Sequence, residues 1–201
     1  GDSAAAMRIP NLLYAFITTI AVGTLAFTMA GRKAALIAAM LAASSFQTLR
    51  VELWLAPDAC LLAGSALALL GLYRAYSAKI SSQQLSGYTL MHIGALLGFM
   101  AKSAVGWLVP LLTLIVLIAW DRRWKEWLNW RLWIGFVLQI VVIGSWIAAV
   151  LRENDGWNDV RILFWNNLAG RFAHIATHGA TDYAGAHLNW PGKYPIPIPS
   201  K

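Results

Sequence analysis

The sequence predicts an all-α integral membrane protein of about six transmembrane helices plus an amphipathic helix on the exoplasmic surface. Three observations carry that fold class. Of 201 residues, 59% are hydrophobic and only 12% charged, more apolar surface than a water-soluble core of this size can hide. Several apolar runs approach or reach the ~20 residues that a helix needs to cross a bilayer. The basic residues, which give a net charge of +7, sit in short clusters between those runs. A nucleic-acid-binding protein would gather them on one face, so no nucleic-acid partner is expected. The one cysteine, Cys60, excludes an intramolecular disulfide framework and a multi-cysteine zinc site.

The spans follow in order. Residues 11–29 form the first, with Pro10 ahead of them suiting a helix start. Gly31-Arg32-Lys33 is a tight basic turn, and the Ala-rich residues 34–49 are a shorter second span ending in Arg50-Val51-Glu52. Ala56-Pro57-Asp58 restarts the chain, with Asp58 in the first turn of the third span, where a carboxylate meets the positive end of the helix dipole. That span continues to Tyr76, and residues 77–86 read as a polar loop. Residues 87–101 are a short fourth span carrying Gly94 and Gly98 at the spacing that lets membrane helices approach closely. Residues 105–120 are the fifth and 132–151 the sixth, separated by a charged, Trp-rich interfacial loop at 121–131. The domain division expected is a transmembrane segment, 1–151, and an exoplasmic segment, 152–201.

Alternation puts the loops at 31–33, 74–86 and 121–131 on one side. They hold eight basic residues against Asp121 and Glu126, so the +7 divides into +6 there and +1 on the other side. By the positive-inside rule the first side is cytoplasmic. The opening Gly-Asp-Ser-Ala, without Met or a leader pattern, and the proline-alternating residues 194–201 suggest a piece of a larger membrane protein.

Chemistry is sought among charges near membrane depth, which are costly unless they face protein or water. Arg50, Glu52, Asp58 and Lys102 all fall on the exoplasmic side. Two readings stand: interface residues capping helix ends, with Lys102 snorkelling and Arg50 pairing Glu52, or a converging polar site. From Trp157 to Ile175 apolar residues recur at helical intervals, an amphipathic surface helix. Arg161 on it reads as a solvated residue, whereas Arg171, between Gly170 and Phe172, could hold a phosphate in two parallel hydrogen bonds. His174 and His178 are four apart, the spacing of two metal ligands on one helix, but Gly179 breaks the helix and no Glu stands between them. Plain loop histidines or ligands of a divalent metal are both open. No GxGxxG cradle and no GxSxG elbow occurs.

A family resemblance rests on ordered motifs. Arg8-Ile9-Pro10 leads into a span, Gly31-Arg32-Lys33 lies between spans, and Leu55-Ala56-Pro57-Asp58 opens another. Gly98-Phe99-Met100-Ala101-Lys102 precedes an apolar span with an internal Pro110. Phe164-Trp165-Asn166-Asn167-Leu168-Ala169-Gly170-Arg171-Phe172, with His178-Gly179 after it, completes the pattern. In this order they resemble bacterial polyprenyl-phosphate-dependent glycosyltransferases of the GT-C fold, similar to protein O-mannosyltransferases and to the aminoarabinose transferase that modifies lipid A.

The resemblance covers nearly the whole chain and implies an inner-membrane enzyme, part of a larger GT-C fold. It would transfer a sugar, with inversion, from a polyprenyl-phosphate donor to an exoplasmic acceptor such as a lipid, glycan or protein. It places the catalytic base in a loop before Gly1, so these residues alone are expected to be inactive. Asp58 matches an acidic position that organises the site. Lys102 and Arg171 match positions that bind the donor phosphate, with Arg50 and Glu52 nearby candidates for substrate binding. Where the family often has Gly after the lysine, this chain has Ser103. A transporter or flippase segment, a lipid-linked sugar polymerase and a structural membrane subunit are the competing readings. A transporter would put charges and broken helices nearer the bilayer midplane.

Overall fold

A computed structural model of the chain describes residues 4–45, 58–153 and 156–161, and these are all-helical. They divide into two compact units, residues 1–146 and 147–201. The helices are α1 (Ala4–Ser44), α2 (Asp58–Tyr76), α3 (Ser81–Lys102), α4 (Val105–Asp121), α5 (Trp130–Val150) and the six-residue α6 (Gly156–Arg161), with a 3-10 turn at Trp124–Leu128. Among the described residues three stretches, Ile9–Ser44, Asp58–Tyr76 and Trp130–Val150, are long and apolar enough to cross a membrane, and Val105–Asp121 is apolar but shorter. Large apolar side chains such as Phe16, Met40 and Val141 point outward, as the lipid-facing surface of a membrane helix requires.

α1 is two helical arms joined at Gly31, whose φ of 82° and ψ of −171° break the helix. Gly is the residue that adopts this backbone without steric cost. The second arm returns along the first, so that a Cβ on Gly23 would stand 3.2 Å from Ala39 Cβ. The turn expected at 31–33 is therefore present. Pro10 differs from expectation: it lies inside the helix, which already begins at Ala4.

The first arm packs alongside α2 through Ala21, Val22 and Leu25 against Ala66, Leu67 and Leu70. Tyr14 meets Cys60 nearer the start of both. Numbers rise together, so the two run parallel. α3 returns antiparallel against α2 through facing glycines: a Cβ on Gly94 would stand 2.4 Å from the Ala68 nitrogen, and one on Gly71 2.2 Å from the Met91 nitrogen. Small residues at the interface let the two backbones touch, as the Gly94 and Gly98 spacing suggests. α4 returns along α3, and Ala68, Leu72, Tyr88, Met91, Leu114 and Ile118 close the core between the three.

Two loop expectations are corrected. α3 starts at Ser81, within the stretch read as a loop, and α5 starts at Trp130, so Arg131 is helical. Hydropathy marks where a chain enters hydrocarbon, but a helix continues beyond it wherever side chains can tie its end down. Here Arg131 donates to Gln84 Oε1 at 2.9 Å and sits 5.2 Å from the Trp130 ring centroid.

The three basic loops share one end of this bundle. Tyr76 Oη donates to Asp121 Oδ2 at 2.8 Å, Arg123 Nη1 donates to the Tyr76 carbonyl at 3.1 Å, and Arg123 pairs with Glu126 at 2.6 Å. The parallel packing of the first arm on α2 brings the Gly31 turn to that same end. Asp58 and Lys102 lie at the opposite end.

Candidate functional site

Asp58 is the first residue of α2 and Lys102 the last of α3. Because these helices are antiparallel, the two termini meet, and Lys102 Nζ forms an ion pair with Asp58 Oδ1. The helix ends favour both charges: the carboxylate sits at a positive N-terminus and the ammonium at a negative C-terminus. Each side chain keeps contact with solvent, at 36% exposure for Lys102 and 40% for Asp58. An ion pair this exposed contributes about 0–1 kcal/mol, so it orients the ammonium without locking it. One of the three ammonium donors goes to Asp58, leaving others for an incoming anion. Of the two sequence readings, snorkelling alone leaves this contact out: the lysine is aimed by a partner.

The backbone after Lys102 turns sharply. Ser103 has φ 54° and ψ −144°, and Ala104 follows at φ −55°, ψ −18°, close to a type II′ turn. The Ser103 N–H donates to the Phe99 carbonyl at 2.6 Å, and the Gly106 N–H to the Ser103 carbonyl at 3.0 Å. The first position of such a turn favours glycine, the residue that the resemblance leads one to expect at 103. Ser103 is buried, and its Oγ has no hydrogen-bond partner among the described residues. The turn is compact because Gly106 returns onto Gly98: a Cβ on Gly106 would stand 2.1 Å from the Gly98 carbonyl carbon.

The other expected site residues fall elsewhere. Arg50 and Glu52, Arg171, and the candidate metal pair His174 and His178 lie outside the described residues, as does the expected amphipathic helix beyond Arg161. Among the described residues no group of three or more His, Cys, Asp or Glu side chains is placed to hold a metal ion.

Sequence reasoning passed over a polar pair inside the bundle. The Gln139 amide nitrogen lies 2.7 Å from His92 Nδ1 and donates to the His92 carbonyl at 3.0 Å, tying α5 to α3. Both residues edge an otherwise apolar cavity of about 320 Å³, walled by Trp107, Leu114, Trp133 and Phe136. His92 Nε2 and Gln139 Oε1 have no further partner among the described residues. The available signal was one Gln in the apolar run 132–151 and one His in 87–101. Periodicity does not say that two such residues face each other.

Chemically, this end of the bundle presents a half-exposed ammonium, oriented by a carboxylate, above a wall of apolar helices. That arrangement suits an anion carried on a lipid, whose charge stays at the interface while its chain remains in hydrocarbon.

A family model described as dolichyl-phosphate-mannose-protein mannosyltransferase matches residues 1–147. Among curated relatives, the undecaprenyl phosphate-alpha-4-amino-4-deoxy-L-arabinose arabinosyl transferase of Pseudomonas aeruginosa (strain LESB58) is 33% identical over 108 residues, 53% of this chain and 19% of that protein. The corresponding transferase 2 of Pseudomonas fluorescens (strain Pf0-1) is 32% identical over 138 residues, 65% of this chain and 24% of its own length. The transferase of Serratia proteamaculans (strain 568) is 26% identical over 175 residues, 86% of this chain and 31% of that protein. The chain thus spans 19% to 31% of the length of these relatives. No solved structure matches it.

Proposed function

Since the chain belongs to the dolichyl-phosphate-mannose-protein mannosyltransferase family, we propose that it is a segment of a membrane glycosyltransferase that uses a polyprenyl-phosphate-linked sugar. The observation that carries this reading is the Asp58–Lys102 pair, at the bundle end opposite the basic loops. The names of the relatives suggest the donor class, an undecaprenyl phosphate bearing an amino sugar such as 4-amino-4-deoxy-L-arabinose. The acceptor is an exoplasmic hydroxyl or phosphate. The chain crosses a bacterial inner membrane about six times, with residues 157–175 as an amphipathic helix on the outer surface.

Transfer breaks the bond between the anomeric carbon and the phosphate oxygen and makes one from that carbon to the acceptor oxygen, with inversion. The acceptor proton passes to a base outside these residues. Negative charge grows on the departing polyprenyl phosphate, and donors aimed at that oxygen before reaction stabilise it most. Lys102 supplies such a donor. Asp58 keeps the ammonium at the helix end in the absence of substrate and yields one of its donors when phosphate arrives. Arg171 is the second phosphate ligand, and its planar fork suits two phosphate oxygens at once. Arg50 and Glu52 border the same side. His174 and His178 remain candidate ligands of a divalent metal.

The test is single-turnover sugar transfer and donor affinity in nanodiscs, using the full-length enzyme that contains this segment. Lys102→Ala and Arg171→Ala should each slow transfer about a hundredfold, the scale of losing one oxyanion-stabilising donor. Wild-type rates for both would overturn the assignment.

A further inference from the structure

The turn between α4 and α5 has used up its acids and kept two of its cations. Asp121 accepts from Tyr76, and Glu126 accepts from Arg123, Tyr88 and Asn129. Of the four basic residues there, Arg123 is spent on Glu126 and the Tyr76 ring and carbonyl, and Arg131 on Gln84 and Ser81. Arg122 and Lys125 are exposed, with no carboxylate in ion-pair reach among the described residues. Arg122 stands in the left-handed region, at φ 54°, at the point where the chain leaves α4. With Trp124 and the Arg123–Glu126 pair, whose carboxylate is already matched by its arginine, these two line a cleft of about 490 Å³.

A solvated charged loop would account for the cations alone, but not for their neighbours. Trp120 and Leu128 are each 85% exposed, and Trp124 and Trp130 are also largely uncovered. Large apolar and amphipathic side chains gathered on one short turn belong at the boundary of hydrocarbon and headgroups, the depth at which Trp is enriched. At that depth the anions within reach of Arg122 and Lys125 are lipid phosphates. Attraction of an anionic leaflet to basic side chains falls off within a Debye length, and these two are inside it.

We propose that Arg122, Trp124 and Lys125 form a binding site for the phosphate headgroup of an anionic phospholipid, at the bundle end opposite the Asp58–Lys102 pair. The hydrogen-bonded network beneath holds the turn in place, so little ordering is left for the lipid to impose. Arg122 can take two phosphate oxygens, Lys125 adds a point charge, and Trp124 packs against the glycerol region.

The site is tested by native mass spectrometry of the full-length protein taken from micelles of equal phosphatidylglycerol and phosphatidylcholine, counting which lipid is retained. The wild type should retain phosphatidylglycerol in excess. Lys125→Gln should lower that excess about fivefold and Arg122→Gln/Lys125→Gln should lower it further, while Arg122→Lys/Lys125→Arg should preserve most of it. Melting temperatures identify any variant that fails to fold, and Lys125→Gln alone, at an exposed position, then decides the matter. Unchanged enrichment in Lys125→Gln and in the double Gln variant overturns the proposal. So does displacement of the lipid by millimolar inorganic phosphate, which would show a site for a free anion. Sugar transfer is not the readout, so failure here is distinct from failure of the transferase reading.

Discussion

Gly64 and Gly98 face each other across the α2–α3 interface so closely that a Cβ on Gly64 would stand 2.6 Å from the Gly98 backbone nitrogen. Backbone cannot give way as a flexible side chain can, so Gly64→Ala must push the helices apart. The cost expected is about 1–3 kcal/mol, the usual scale of overpacking. Gly144 has nothing within 4 Å of its hypothetical Cβ, and Gly144→Ala should be neutral or slightly stabilising. Thermal melting of both variants in nanodiscs checks the contrast, and equal losses would mean that the close approach is not what matters.

The same approach fixes where Lys102 ends up, which separates stability from function at that residue. Its ion pair is half-exposed, so Lys102→Ala should lower stability by no more than about 1 kcal/mol. Donor affinity should fall far more. Exchanging the partners, Asp58→Lys with Lys102→Asp, re-forms a pair but sets each charge against its helix dipole and moves the ammonium, so the melting temperature should stay below that of the parent and donor binding should remain lost. Calorimetry and a donor-binding titration on the same preparations read the two effects. A swap that restores binding would show that only the presence of a pair counts.

Several of these features were legible beforehand because they are local. A glycine with two basic residues between apolar runs marks the Gly31 turn, and an acid after proline marks the start of α2. The shared end of the three basic loops follows from counting reversals, and the Tyr76–Asp121 contact places two of those loops together. What was not legible depends on rotation about helix axes. Spacing puts Asp58 and Lys102 on one side of a membrane but does not bring them into contact, and the facing of His92 and Gln139 is likewise a product of packing. The start of α3 was missed for a different reason: Ser81-Ser82-Gln83-Gln84 is polar, and hydropathy registers solvent preference, not helicity.

Ser103 should be improved by glycine. Its backbone, at φ 54° and ψ −144°, costs a non-glycine residue about 1–3 kcal/mol, and its buried hydroxyl finds no partner among the described residues. Ser103→Gly should therefore stabilise by about 1 kcal/mol after the extra unfolded-state freedom of glycine is subtracted. Ser103→Val should destabilise, since a β-branched side chain tolerates a positive φ worst. Denaturation midpoints order the three, and a Gly variant weaker than the parent would mean that the hydroxyl has a partner elsewhere in the enzyme.

Sidedness is open to direct labelling. In a Cys60→Ala background, a cysteine at Lys79 lies at the end with the basic loops, and one at Ser44, exposed at the far end of the second arm, lies with Asp58 and Lys102. By the positive-inside rule the Lys79 end is expected in the cytoplasm. A membrane-impermeant maleimide added to spheroplasts should label Ser44→Cys and spare Lys79→Cys until the membrane is opened. Labelling in the reverse order would place the Asp58–Lys102 end inside the cell and remove the basis for an exoplasmic acceptor.

The His92–Gln139 contact makes the strictest test of packing, because its two members respond differently alone and together. Gln139 is 3% exposed and donates to both the ring nitrogen and the carbonyl of His92. Donation to Nδ1 leaves the ring hydrogen on Nε2, which presses against Gly135, where a Cβ would stand 2.4 Å away. Gln139→Leu strands His92 Nδ1 in an apolar setting, and His92→Leu leaves the Gln139 amide nitrogen only its bond to the backbone carbonyl of residue 92, with its other hydrogen unpaired, so each should destabilise. The double variant removes both unsatisfied groups and should recover part of the loss. Interhelical hydrogen bonds in membranes are coupled by about 0.6 kcal/mol on average and at most about 1.7, so the cycle should return a value in that range. Strict additivity would show that the two side chains act independently, and that α5 is held to the bundle through α4, by the contact of Trp107 with Phe136, whose rings lie 5.2 Å apart.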